Sequence, residues 1–253
     1  MEQFPFTIFL FGITISTVAV MLGIGGGILW SPVLILLYRI QPAEAITTAL
    51  AIQVGGMGVG TLSYWRSGRV DAKVALFYAA LALPMVIAGS VAGTYLPDNV
   101  LRLGLGTAAV GLALFFLSGQ DWFIDNELRR VAVRQAARVG HIPFFFSFLS
   151  GLLSIGVGDF IVPSMVKKLN YSMEVAVGTA LAVMLIVVIT GLAAHLSLGG
   201  SLSLMAVAWG LPGVIIGSYL GSQISRRMRT DSLREFFIFV MLFVGIHILY
   251  TSI

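Results

Sequence analysis

From Val74 to Tyr95, and again from Val175 to Leu196, the chain runs without a single Asp, Glu, Lys or Arg. Each run reaches the roughly 20 residues that a hydrocarbon core about 30 Å thick requires, and each is apolar on every helical face. A soluble core helix keeps a polar stripe. These runs therefore read as membrane spans, and with 58% hydrophobic and 10% charged residues most of the remaining sequence reads the same way.

The chain is also written twice. Laid over itself at an offset of 131, Gly25 meets Gly156, Gly27 meets Gly158, Pro32 meets Pro163, Ala45 meets Ala176, Thr48 meets Thr179 and Gly60 meets Gly191. At an offset of 128, Leu83-Pro84 meets Leu211-Pro212 and Gly89-Ser90 meets Gly217-Ser218; at 132, Leu101-Arg102 meets Leu233-Arg234. Such self-similarity marks a duplicated unit. Each half opens with a Gly-interrupted apolar segment, 4–38 and 142–169, followed by three clean spans: 43–64, 73–96 and 99–118, then 173–195, 201–223 and 233–252.

Charge decides how the interrupted segments run. If each crossed the bilayer once, the 15 Lys and Arg would divide eight against seven. If each enters and returns on the same side, thirteen fall together and only Arg39 and Arg102 lie opposite, which is the asymmetry that orients membrane proteins. Length agrees, because an 11-residue arm such as Ile28 to Tyr38 spans about 16 Å, half the hydrocarbon thickness. The expected fold is an all-α polytopic membrane protein of two inverted-topology repeats, each a re-entrant Gly-broken hairpin followed by three transmembrane helices. The repeats are placed at 1–118 and 142–253, with 119–141 between them as a cytoplasmic amphipathic linker carrying Ile124, Leu128, Val131 and Val139 opposite Arg130, Arg134 and Arg138. Both termini are expected outside, in a cell membrane of inner or plasma type.

Other classes fall away. There are no cysteines, so disulfides, thiol redox chemistry and thiolate metal sites are excluded. The net charge of +4 is accounted for by loop residues and gives no reason to expect nucleic acid. Met1-Glu2-Gln3 lacks the basic start of a cleavable signal, so the first helix is expected to be retained. No metal or cofactor is expected: His195 and His247 lie near span ends, and no ligand spacing joins them to a carboxylate. No Ser/His nucleophile pair and no HExxH motif indicates an enzyme.

Backbone that leaves helical geometry at mid-membrane depth is tolerated only where it lines a cavity or is buried in protein. The stretch Gly23-Ile24-Gly25-Gly26-Gly27 does so at the first hairpin tip and Ser154-Ile155-Gly156-Val157-Gly158 at the second, each opening a short helix. A helix N-terminus presents unpaired N–H donors and about half a positive charge, which suits an anion. The candidate solute-binding residues are therefore Gly25, Gly26, Gly27, Gly156 and Gly158, with Thr47, Thr48, Gln53 and Thr179 as hydrogen-bonding side chains nearby. Trp30 and Ser31 are weaker candidates, and Gly55, Gly56, Gly58 and Gly60 read as helix packing. Asp159 is the one acid at a tip. It reads as an ion- or proton-coupling group and as the N-cap of the arm that begins at Phe160, two roles that are compatible.

The block Gly23 to Pro32, Ala45 and Thr48, its echo from Gly156 to Thr179, and Gly68-Arg69-Val70-Asp71 ahead of the third span resemble the TauE/SafE family of sulfite and organosulfonate exporters over essentially the whole chain. The resemblance implies export of a small sulfur-containing anion such as sulfite or sulfoacetate. At the second tip the sequence departs from the common pattern, with Val157 and Asp159 in place of glycines. The expected partners are the anionic solute and the bilayer, with a second copy of the chain as a candidate. The alternatives are a proton-coupled importer or channel of the same fold, and a membrane scaffold.

Overall fold

The computed structural model describes residues 5–118, 130–224 and 231–252, and helix is the regular structure throughout them. In chain order the elements are α1 (Pro5–Leu22), α2 (Gly27–Tyr38), α3 (Pro42–Arg66), α4 (Ala72–Tyr95), α5 (Asp98–Ser118), a single turn α6 (Val133–Ala136), α7 (His141–Leu153), α8 (Gly158–Leu169), α9 (Met173–Ser197), α10 (Leu204–Ile224) and α11 (Asp231–Ser252). Arg129, Arg226, Arg227 and Arg229 of the basic set, and Ile124 and Leu128 of the linker, lie outside the described residues.

Among the described residues five helices, α3, α4, α5, α9 and α10, are long and apolar enough to cross a membrane. All five coincide with spans read from the sequence, and the sixth of those spans corresponds to α11 over 22 residues. Both α2 and α8 have 12 residues, about 18 Å, too little to cross. α1 has 18 residues and its counterpart α7 has 13, a difference in length that the offset does not reveal.

The helix boundaries follow from local chemistry, and they repeat across the halves. α2 ends at Arg39 and α8 at Asn170, each left-handed at φ 54°, and these two positions are 131 apart. Asp71 starts α4 by accepting the Val74 N–H at 3.3 Å, and Ser203 does the same for α10 through the Ala206 N–H at 3.4 Å. Among the described linker residues the helical part is α6 followed by a 3-10 turn over Ala137–Val139, which meets α7 at a 58° bend. Tyr78 donates to the Ala136 carbonyl at 3.1 Å and holds that turn against α4.

α3 and α9 pack against each other at the centre and are the most deeply buried of the five long spans. Around them the contacts repeat on exchanging the halves: α10 packs on α1 and α3 as α4 packs on α7 and α9, while α5 pairs with α11. Small residues set the closest of these contacts. A Cβ at Gly213, Gly217 or Gly221 of α10 would overlap the carbonyls of Phe9, Ile13 and Thr17 on α1 respectively. Gly55, Gly56 and Gly60 likewise face Leu211, Val214 and Leu181, as packing residues should.

Candidate functional site

The breaks at 23–26 and 154–157 bring the first turns of α2 and α8 to the buried centre of the molecule, tip against tip. Gly25 and Gly156 touch backbone to backbone, and a Cβ on either would overlap the other's Cα. A Cβ on Gly27 would overlap the Ser154 carbonyl, and one on Gly158 would come within 2.8 Å of the Gly23 carbonyl. These two contacts exchange under the offset of 131.

Glycine is thus required at Gly25, Gly27, Gly156 and Gly158 because one tip fills the space the other would need. Positive φ is a separate demand, met by Gly23 at 68° and, in its counterpart, by Ser154 at 57°. Gly26 differs from its neighbours: a Cβ there would meet only Ile15, Ala19 and Trp30 side chains at 3.4 to 3.6 Å, ordinary contact. That room explains why its counterpart is Val157, which is fully buried. Asp159 lies opposite Ile28 rather than opposite a glycine, so the tip glycines of the first half are replaced at Ser154 and Val157, and not at Asp159.

Asp159 is fully buried, and its Oδ1 accepts the Gly25 N–H at 2.8 Å. It sits in the first turn of α8 and makes no side-chain cap there, since α8 begins at Gly158, two residues earlier than the sequence suggests. The N-cap reading is corrected accordingly: the carboxylate belongs to the opposite hairpin, at the N-terminus of α2. Its Oδ2 is buried without a hydrogen-bond partner. Ser31 and Ser154 pair through their hydroxyls at 2.7 Å across the same junction.

Gln53 also reaches the tips. Its Nε2 donates to Ala49 O at 3.1 Å and reaches the Ser154 carbonyl at 3.5 Å, while Oε1 is buried and unpartnered. The orientation is fixed by chemistry, because a flipped amide would set oxygen against two carbonyls. Trp30 lies fully buried one turn into α2.

The threonines are committed elsewhere. Thr48 donates to Glu44 O at 2.7 Å and accepts the Ser203 N–H at 3.0 Å; Thr179 accepts the Asp71 N–H at 3.0 Å. Each therefore ties one half's central helix to the loop entering the other half's fourth helix. Thr47 donates to Ala43 O at 3.1 Å and borders a cavity of about 220 Å³ near the ends of α4 and α9. His195 bonds the Gly151 carbonyl at 2.8 Å beside that cavity, and His247 stacks on Phe243 on the surface of α11. A larger cleft of about 510 Å³ between α5, α7 and α8 is walled by Phe115, Phe146 and Phe160 and ends near Ile155. No group of three His, Asp and Glu that could hold a metal occurs among the described residues.

On the face opposite the small cavity lies a polar network that sequence reasoning missed. Asp71 Oδ2 accepts from Tyr171 Oη at 2.8 Å, Arg69 pairs with Glu174 at 2.9 Å, and Arg130 donates to the Gly68 carbonyl at 3.2 Å. Burial, reinforced by the Asp71 carboxylate, raises the Tyr171 phenol well above its ordinary pKa, so it stays a donor at any physiological pH. The signal was present in Gly68-Arg69-Val70-Asp71, but nothing local says that its partners lie 100 residues away.

A family model described as sulfite exporter TauE/SafE matches residues 8–248. Among curated proteins the chain is similar to the probable membrane transporter protein YunE of Bacillus subtilis (strain 168), at 26% identity over 96% of each chain. It is also similar to YjnA of the same organism, at 26% identity over 87% of this chain and 92% of the relative. A probable membrane transporter protein of Xylella fastidiosa (strain Temecula1 / ATCC 700964) is 25% identical over 92% and 90%. No solved structure matches.

Proposed function

The chain belongs to the sulfite exporter TauE/SafE family, and from that premise we propose that it exports a small sulfur oxyanion, sulfite or an organosulfonate such as sulfoacetate, bound where the two hairpin tips meet. The observation that carries this reading is Asp159: an oxyanion already occupies the α2 N-terminus, donated by the chain itself. First-turn N–H groups have no intrahelical partner, and two converging helix ends supply about one positive charge to the buried junction. Gly25, Gly26, Gly27, Gly156 and Gly158 provide the backbone donors in this reading. Gln53 orients the solute, and Asp159 yields its place to it.

In the same reading the halves 1–118 and 142–253 are inverted copies joined by the linker at 119–141. Both termini lie outside a cell membrane of inner or plasma type, and Arg69, Lys167 and Lys168 lie on the cytoplasmic side. The membrane potential then supplies the direction, since an inside-negative potential contributes roughly 2.3 kcal/mol per charge per 100 mV to moving an anion out. The second reading is proton-coupled transport, favoured by the buried and unpartnered Asp159 Oδ2.

Equilibrium dialysis of the purified protein against labelled sulfite and sulfoacetate tests the binding site. Saturable binding of at least one of them is expected, with competition between the two. Lack of saturable binding by any sulfur oxyanion would remove the proposal.

A further inference from the structure

The two faces of the molecule are built on one plan and end differently. α3 closes with Ser67 and Gly68 and α9 with Leu198 and Gly199, the glycines left-handed at 70° and 85°. Arg69 N–H then returns to Tyr64 O at 3.0 Å, and Gly200 N–H returns to His195 O at 2.9 Å. At an offset of 131, Tyr64 is the counterpart of His195, Arg69 of Gly200, Val70 of Ser201, and Glu174 of Ala43. Thr48 and Thr179 staple the loops that follow in the same way on both faces.

What fills each plan differs. On one face the Tyr64 ring is buried, Arg69, whose N–H returns to the Tyr64 carbonyl, pairs with Glu174 at 2.9 Å, and Val70 is 7% exposed. On the other face His195 is the smaller ring, and Gly200 and Ala43 have no side chains long enough to meet. Ser201 is exposed there, and the space left is the 220 Å³ cavity lined by Thr47, Thr94, Leu152, His195 and Ser201 with Glu44 at its rim. It reaches Leu152, two residues before Ser154 at the second tip. The 510 Å³ cleft has no such counterpart among these positions, and its aromatic walls suit acyl chains better than an oxyanion.

We propose that the cavity at Thr47, His195 and Ser201 is the open half of the solute pathway, and that Tyr64 with the Arg69–Glu174 pair is the latch that closes its counterpart on the cytoplasmic face. Opening that face requires Arg69 and Glu174 to part and Tyr64 to leave its pocket, and the same motion lets the α9 end fill the cavity beside His195. The Tyr171–Asp71 bond holds the loop between α3 and α4 while the latch is shut. The inference rests on the reading of the halves as inverted copies.

The chain is free of cysteine, so single cysteines can be read directly. Ser201→Cys and Val70→Cys, made separately in the full chain, are exposed to a membrane-impermeant maleimide in right-side-out and inside-out vesicles. Ser201→Cys is expected to label from outside, and Val70→Cys to be protected on the inside. Adding Arg69→Ala or Glu174→Ala should raise Val70→Cys labelling from inside about fivefold, the shift an ion pair of this exposure commands, and lower Ser201→Cys labelling. The exchanged pair Arg69→Glu with Glu174→Arg should restore protection. A misfolded variant would raise labelling at both positions, and the reciprocal change excludes that. Labelling of both cysteines from one side overturns the inverted arrangement and the transport reading with it. Labelling from opposite sides with no response to Arg69→Ala or Glu174→Ala overturns the latch alone.

Discussion

Gly25→Ala is expected to abolish transport, and Gly26→Ala, one residue on, to leave it near wild type. The two substitutions add the same methyl group to the same loop, so composition and flexibility do not separate them. Position does. A Cβ at Gly25 lands on the Gly156 backbone, and backbone cannot turn aside as a side chain can. One hairpin must move against the other, at a cost of about 1–3 kcal/mol for overpacking or more where the obstacle is main chain. Displacing the tips by about 1 Å also spoils the donor geometry, and misplacement on that scale can cost 10²-fold in rate. At Gly26 the nearest atoms are side chains at 3.4 Å or beyond, and Val157 shows that the equivalent place accepts a branched residue. Gly156→Ala should behave like Gly25→Ala. Flux and thermal unfolding of the three variants in parallel check this, and wild-type flux in Gly25→Ala would sink the tip contact as a functional element.

Asp159→Asn is expected to tighten anion binding and slow turnover. The amide keeps an acceptor for the Gly25 N–H, so the junction survives, but no carboxylate can form there to compete with a solute. An ionised carboxyl a few ångströms from the solute would cost up to about 4 kcal/mol at an effective dielectric near 20, and removing even the part of that corresponding to about 1.4 kcal/mol raises affinity about tenfold, the least gain expected. Any response of flux to a pH gradient should vanish in the same variant, because no carboxyl remains to take up a proton. Asp159→Ala differs, since it leaves the Gly25 N–H without a partner in a buried site, a loss of about 1–3 kcal/mol in stability. Dialysis and pH-gradient flux on the two variants separate the roles. Unchanged affinity and unchanged pH response in Asp159→Asn would reduce Asp159 to a structural tie between the tips.

The helical skeleton was legible because hydrophobic run length and glycine punctuation are local properties. The span read at 43–64 became α3 over Pro42–Arg66, that at 99–118 became α5 over Asp98–Ser118, and both hairpin breaks fell where glycine or serine interrupts the run. The offset carried more than it was asked to: Gly25 and Gly156, which it aligns, turn out to touch backbone to backbone.

The sequence left other things hidden for equally physical reasons. Asp159 bonds across 134 residues to the opposite tip, and no periodicity within α8 reports on that. Thr48 and Thr179 looked like solute donors because they sit in the helices that follow the tips. Their hydroxyls instead satisfy backbone N–H groups of loops from the other half, a demand visible only once the halves are assembled. The glycines were expected for the approach of an oxyanion, and the structure adds a prior claim on them, the approach of one tip to the other. Gly68-Arg69-Val70-Asp71 was noticed as a phrase, but its meaning depends on Glu174, Tyr171 and Thr179, which it meets only in three dimensions.

The most direct measurement is release of labelled sulfite and sulfoacetate from proteoliposomes under an imposed inside-negative potential, with wild type and Gly25→Ala side by side. The account predicts release of at least one of these anions that rises with the potential in wild type and is absent in Gly25→Ala. No release in wild type, or equal release through both proteins, would contradict it.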